Sequence, residues 1–348
     1  MQKNGVMKMK KYILFIFGLL FVITTQSYAQ GVTKAGTTAS DFLVIDVGPR
    51  GTGMGGAFVS LANDATAMYW NPAGIARLSN FAATFCNTQW IAGLSFNYAG
   101  ATLNFGDYGT VGANATFLTM DQIERTTITQ PDGTGEFFDA GSFAIGLCYA
   151  RNLTNQFAIG LNAKYITERM YHSSSSGFAL DVGVLFNTNI HGLTLGMSIS
   201  NYGTKMQLDG RDLQVQYDVA PDLNGNNPNI NAKLQTDRYD LPLMFRIGLS
   251  MDVLKGLANN RFIISVDALH PSDDTEYMNL GGEYTFYDMF SLRAGYKELF
   301  AKDSEQGLSF GGGIRYKLIG ESTINLDYSY LDFGVLNAVH MFSVSVGL

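Results

Sequence analysis

Beyond its first thirty positions the chain has no run of eighteen apolar residues, and that absence rules out a spanning helix in the body of the protein. Histidine is limited to His172, His191, His270 and His340, with no pair four residues apart, so no zinc site of the helical kind is encoded and no metal is expected. Cys86 and Cys148 are the only cysteines, too few for a disulfide framework; free thiols or a single incidental bridge are expected. Basic clusters are also missing. The formal charge of −7 becomes −11 once Lys3, Lys8, Lys10 and Lys11 of the leader are removed, which argues against nucleic acid as a partner. Proline numbers only 7, so long strands can run uninterrupted.

Glycine, at 39, and aromatic residues, at 13%, are plentiful, a mixture that suits many strands joined by tight turns and girdled by aromatic belts. The start of the chain sets the compartment. Lys8, Lys10 and Lys11 precede an apolar run from Tyr12 to Ile23, and Ser27-Tyr28-Ala29 places small residues where a signal peptidase reads them. Residues 1–29 are therefore expected to be a cleaved signal peptide, with Gln30 as the mature start and Met7 or Met9 as alternative initiators. The apolar run is far shorter than the roughly twenty residues of a membrane anchor.

From Phe81 onward, segments of about ten residues alternate apolar and polar, the pattern of transmembrane strands. Leu308, Phe310, Gly312, Ile314 and Tyr316 share one face against Ser309, Gly311, Gly313 and Arg315. Ile324, Leu326, Tyr328 and Tyr330 oppose Asn325, Asp327 and Ser329 in the same way. Reading the whole chain so gives about fourteen strands, an even number, with both ends of a single-chain barrel in the periplasm. The expected ranges are 81–90, 92–104, 109–119, 141–151, 157–170, 176–188, 193–202, 241–251, 260–270, 276–286, 290–297, 308–316, 322–331 and 339–348. Short connections such as Gly106-Asp107-Tyr108 and Tyr287-Asp288-Met289 should alternate strictly with longer ones such as 120–140 and 203–240.

In-strand charges belong on the polar face, because an Arg facing lipid near the midplane costs roughly 2–4 kcal/mol. Lys164, Asp181, Arg246, Asp267, Glu283, Arg293, Arg315 and Asp327 all satisfy this and are expected to line the lumen in pairs. They either fill a wet interior or form a selectivity lining. Residues 30–80 form a separate segment, and from 36 to 80 it does not alternate. Asp64 suits the cap of a short helix that Pro72 and Gly74 would end. Such a compact segment ahead of the first strand can fold back into the lumen as a plug, leaving 81–348 as the barrel.

Several motifs mislead. Gly51-x-Gly53-x-x-Gly56 fits a dinucleotide fingerprint, but no βαβ unit follows. Gly307-x-Ser309-x-Gly311 fits a nucleophile elbow, yet lies inside an alternating strand. Asp222-x-Asn224-x-Asn226 has calcium-like oxygen spacing without the glycine and distal glutamate of an EF-hand, so a polar loop is the plain reading. No catalytic constellation and no cofactor are expected; only a Ser and His brought together on neighbouring strands, as in a lipid hydrolase, stays open.

The run from Gly55 to Ala76, with Gly55-Gly56-Ala57, Asn63-Asp64-Ala65 and Asn71-Pro72-Ala73-Gly74, resembles the N-terminal hatch of FadL-type transporters of hydrophobic compounds. Pro131-Asp132-Gly133-Thr134-Gly135-Glu136, Ile199-Ser200-Asn201-Tyr202-Gly203, Leu292-Arg293-Ala294-Gly295-Tyr296 and Leu326-Asp327-Tyr328 with Phe333-Gly334 resemble the PorV/PorQ family. The resemblance spans nearly the whole mature chain. It implies a fourteen-stranded FadL-like barrel in outer-membrane lipid, serving type IX secretion by holding the translocon, the sortase or secreted cargo. Leu348, where such barrels often end in an aromatic, is a small departure. The alternative is a FadL-like uptake channel for a hydrophobic small molecule. There the plug around Asn71 and Pro72 moves on binding, and the ligand leaves through a gap in the wall.

Overall fold

The computed structural model describes residues 34–348 apart from 35, 79, 189, 191, 223, 224, 226, 228, 256–259, 302, 303 and 319–321. The expected leader, 1–29, lies outside the described residues. Fourteen antiparallel strands form one sheet that closes on itself. They are β1 (Phe81–Gln89), β2 (Ser95–Asn104), β3 (Thr110–Thr119), β4 (Ala140–Asn152), β5 (Phe157–Met170), β6 (Ser173–Asn187) and β7 (Thr194–Gly203). The second half holds β8 (Met244–Asp252), β9 (Asn260–Pro271), β10 (Tyr277–Phe286), β11 (Phe290–Leu299), β12 (Leu308–Lys317), β13 (Thr323–Asp332) and β14 (Ala338–Gly347). Each strand pairs with its sequence neighbour, and β1 closes the ring on β14 from Ala82 opposite Gly347 to Gln89 opposite His340.

The alternation dictates which way each residue points. On β12, Leu308, Phe310 and Ile314 are each 50% exposed, while Ser309 between them is 0% exposed. β13 and β14 repeat the arrangement, with Leu326, Phe342 and Val344 exposed and Ser329 and Ser343 buried. A water-soluble protein does not turn its large apolar side chains outward on strand after strand. Lipid makes sense of the arrangement, and ten tilted residues span about 26 Å, the height of an outer-membrane apolar band.

All fourteen expected strands are present, with shifted ends. The second begins at Ser95 rather than 92 because Ile91–Gly93 forms a 3-10 turn. The eighth begins at Met244 rather than 241, beyond Pro242, which has no N–H to donate to a ladder. Strict alternation of short and long connections does not hold. Tyr171 and His172 alone join β5 to β6, at the end of the barrel where the long connections stand. The long connection 204–243 lies over this hairpin instead, pairing Asp209 and Gly210 with Ser174 and Ser173.

Two bulges interrupt the registers. One lies between Leu180 and Val182, where Asn201 takes a φ of 64° and its N–H donates to Asp181 Oδ1 at 2.7 Å. The other lies between Met278 and Leu280, where Glu298 takes a φ of 57° and its N–H donates to Asn279 Oδ1 at 2.9 Å. In each, a polar side chain satisfies the amide that the bulge removes from the ladder.

Candidate functional site

The segment ahead of β1 touches strands on every side of the ring, and so lies within it. Arg50 reaches Glu283 on β10, the Gly55 N–H donates to Ser309 on β12, and the Val59 N–H donates to Asp267 on β9. Opposite these, Tyr98 on β2 donates to Ala65 O, Asn162 on β5 to Met68 O, and Ser198 on β7 to Trp70 O. The path runs from end to end. Ala39 N–H donates to Asp240 O within the long connection 204–243, whereas Leu78 O accepts from Asn104 at the opposite end, where β1 starts. The two ends of the barrel itself therefore share one side, but the described start of the chain stands on the other.

Locally the segment folds as short turns because its polar groups are met from outside. Asp64 does not cap the helix Ala67–Trp70; Thr66 occupies that position. Asp64 instead accepts from the Thr66 N–H at 2.9 Å and contacts Arg50 at 3.4 Å, closing a turn just before the helix. Asn71 accepts from the Ala73 N–H at 3.2 Å and donates to Val59 O and to Val184 O on β6, at 2.9 and 3.0 Å. Pro72 opens the 3-10 turn Pro72–Arg77, where its missing N–H costs nothing. Ala73 is fully buried, and a Cβ on Gly74 would lie 2.0 Å from Ala62 O. Trp70 anchors the middle, packing edge-on to Phe58 and Tyr69 and donating from Nε1 to Val47 O at 2.9 Å.

The wall is shaped to receive this backbone. Gly160 and Gly183, Gly196 and Gly248, and Gly281 and Gly295 are three pairs of glycines directly opposed across neighbouring strands. Added Cβ atoms would meet Ala73 N at 2.4 Å from Gly160, Val59 O at 2.4 Å from Gly196 and Met54 O at 2.2 Å from Gly281. Gly55 itself takes a φ of +66°, and a Cβ there would sit 2.7 Å from Tyr296 N. Sequence reasoning attributed the glycine content to turns and missed these pairs. Their signal was glycine recurring on the polar face of consecutive strands.

The charges divide into a network and isolated groups. Glu283, 1% exposed, accepts from Arg293 Nε at 2.7 Å and from Arg50 Nε and Nη2 at 2.8 and 2.9 Å. Arg293 also reaches Asp327 at 2.6 Å, and Lys164 pairs with Asp181 at 2.8 Å. Pairing fails for three of the expected charges, since none of them has an ion-pair partner among the described residues. Arg246 lies over the rings of Tyr69 and Trp70, 5.5 and 5.8 Å from their centroids, and donates to Ser200. Asp267 is held by the Val59 N–H at 2.8 Å, and Arg315 donates to Asn325 at 2.9 Å. The N-terminal segment supplies aromatic faces and amides where opposite charges were expected. Arg50 and Asp46, which pairs with Lys297 at 2.7 Å, belong to that segment and carried no periodic signal.

Toward the long connections the lumen holds an apolar cluster. Phe42, Leu43, Ile45 and Val47 pack with Phe96, Tyr98 and Ile166 of the wall and with Met206 and Leu241 of the long connection. A cavity of about 20 Å³ remains between Phe42, Leu43, Met68 and Tyr69 of the segment and a wall that presents Asn114, Asn162 and the Lys164–Asp181 pair. Elsewhere, Ser309 is a buried acceptor within β12, with no histidine among its hydrogen-bond partners in the described residues. His172 bonds Asp212 and Arg211, His270 bonds Glu276, and His340 bonds Tyr328, while His191 lies outside the described residues. Asn224 and Asn226 of the calcium-like loop also lie outside them. Cys86 and Cys148 are free and buried.

No family model and no curated protein matches the chain. Solved structures do. The Ralstonia pickettii toluene transporter TbuX aligns at 11% identity and a TM-score of 0.52, covering 86% of this chain and 97% of its own. A Pseudomonas aeruginosa FadL homologue aligns at 12% identity and 0.51, covering 90% and 99%. The Pseudomonas putida toluene transporter TodX aligns at 12% and 0.52, covering 85% and 96%. At such identities the likeness establishes the fold, that of the FadL-type barrels.

Proposed function

We propose that the chain is an outer-membrane channel of FadL-like fold that admits a hydrophobic small molecule, with residues 30–80 as its plug. The observation that carries this reading is the apolar cluster that Phe42, Leu43, Ile45 and Val47 form inside the barrel with Phe96, Tyr98 and Ile166, covered by Met206 and Leu241 of the long connection. A cavity of about 20 Å³ holds at most one water-sized body, so a ligand enters only if those side chains shift. The toluene transporters of the same fold support the same class of cargo. Titrating the detergent-folded protein with N-phenylnaphthylamine tests it: the dye should brighten saturably and be displaced by toluene or oleate. Phe42→Ala/Leu43→Ala should bind it more tightly. Dye binding that neither competitor displaces would overturn the reading.

A role in protein secretion, as the PorV/PorQ resemblance implies, is the second reading. One observation favours it. The ladders run between all fourteen neighbouring strands, interrupted only by the two bulges, so the expected gap in the wall is absent among the described residues. A closed, filled barrel suits an anchor that presents its loops, because binding usually resides on loops carried by a rigid scaffold. Affinity purification from membranes separates the two: secretion proteins recovered with the barrel support the anchor, and recovered lipid or fatty acid supports the channel.

A further inference from the structure

At the end of the barrel where β1 begins, a cavity of about 360 Å³ lies between the N-terminal segment and the wall. Six cations line it: Arg50 and Arg77 from the segment, and Arg261, Arg293, Arg315 and Lys317 from the strands. Only Asp64 and Asp327 face them, with Glu283 behind the wall of the cavity. Those three acids are already engaged, Glu283 and Asp64 by Arg50, and Glu283 and Asp327 by Arg293. Three positive charges are left in excess.

The remaining cations are poorly matched. Arg261 has no acid nearer than Glu283 at 3.6 Å, and its Nε is buried with no hydrogen-bond partner. Arg315 donates only to the neutral Asn325, with Glu283 and Asp288 acting on it from beyond ion-pair distance. Among the described residues Arg77 and Lys317 have neither an ion pair nor a side-chain hydrogen bond. Crowding like charges in a partly buried space is costly unless something neutralises them. Arginine forks match the oxygens of phosphate and carboxylate groups in bidentate geometry. A phosphate ester, with two charges, offsets most of the excess, whereas a single carboxylate does not.

We propose that this cavity is a binding site for an oxyanion of two or more negative charges, of the phosphate-ester type, held by Arg77, Arg261, Arg315 and Lys317. The site does not depend on what crosses the barrel. The same headgroup chemistry is offered by a soluble phosphate ester and by a lipid, and the test distinguishes them. The full mature chain, folded in zwitterionic detergent and checked by heat-modifiable migration, is titrated calorimetrically with inorganic phosphate, glycerol 3-phosphate and lysophosphatidic acid. Sodium chloride at matched ionic strength is the baseline.

Saturable binding of phosphate and glycerol 3-phosphate is expected, weakened tenfold or more in Arg261→Gln/Arg315→Gln. Binding of lysophosphatidic acid alone supports the site with a lipid headgroup as its source. Arg77→Gln lies outside the strands and tests the site should the double variant not fold; it should weaken binding several-fold. The proposal is overturned if no probe binds above the chloride baseline, or if the folded variants bind as tightly as the unchanged protein.

Discussion

Gly160 and Gly183 stand directly opposite one another on β5 and β6, and the space their absent side chains leave is filled by Asn71, Pro72 and Ala73. A Cβ on Gly183 would lie 2.1 Å from Asn71 Oδ1, the atom that accepts from Ala73. Gly183→Val should therefore leave the strand intact, since valine favours extended backbone, and displace the turn instead. Overpacking of this kind costs about 1–3 kcal/mol. The expected outcome is a lower unfolding temperature in detergent with an unchanged β-sheet spectrum. Gly282→Val, whose Cβ would meet nothing closer than 3.7 Å, is the control that should be tolerated.

The charge network makes two buried sites unequal. Glu283→Gln removes the anion shared by Arg50 and Arg293, and breaking a buried pair in this way costs about 3–5 kcal/mol. Arg246→Leu removes a cation over Tyr69 and Trp70 but strands no acid in an ion pair, and a desolvated cation–π contact is worth about 2 kcal/mol. Thermal unfolding of the two variants should rank Glu283→Gln as the more damaging. The reverse order would mean that Arg246, not Arg50 and Arg293, neutralises the lumen acids.

Periodicity made the barrel legible. A period of two over ten residues fixes both strand and face, and so Asp181, Asp267 and Glu283 could be assigned to the polar side before any partner was known. The partners were not legible, because Arg50 and Asp64 come from a segment whose turns are closed by the wall. Asn71 needs Val184, and the Val59 N–H needs Asp267, more than one hundred and more than two hundred residues away. Such a segment has no pattern of its own to read. The opposed glycines mark where it docks, and they become meaningful only when two strands are set in register.

The end-to-end path of the segment gives a topological prediction. Ala39 bonds Asp240 at the end of the long connections, so residues just before it stand on that side rather than beside Phe81. If the long connections face the cell exterior, Thr37→Cys should react with a membrane-impermeant maleimide on intact cells. Asp107→Cys, in the short turn Gly106–Tyr108 at the other end, should react only after lysis. Cys86 and Cys148 are buried and should stay silent. Labelling of Asp107→Cys but not Thr37→Cys on intact cells would invert the orientation of the barrel.

The proposed plug is tested by removal. A ring of fourteen strands encloses more space than its inward side chains can fill, and here the inward positions include the small residues Gly160, Gly183, Gly196 and Gly248. The segment occupies that space with Phe58, Met68 and Trp70, each at most 1% exposed. Deleting residues 36–76 while keeping the leader leaves every strand pairing available, because none of the fourteen strands begins before Phe81. It also leaves Glu283 and Arg293 paired with each other, so the wall keeps part of its charge network. In planar bilayers the truncated barrel should conduct strongly and the intact one hardly at all, with Gly183→Val between them. Equal conductance in the intact and truncated proteins would mean that the segment does not seal the lumen, and gated entry past Phe42 and Leu43 would fall with it.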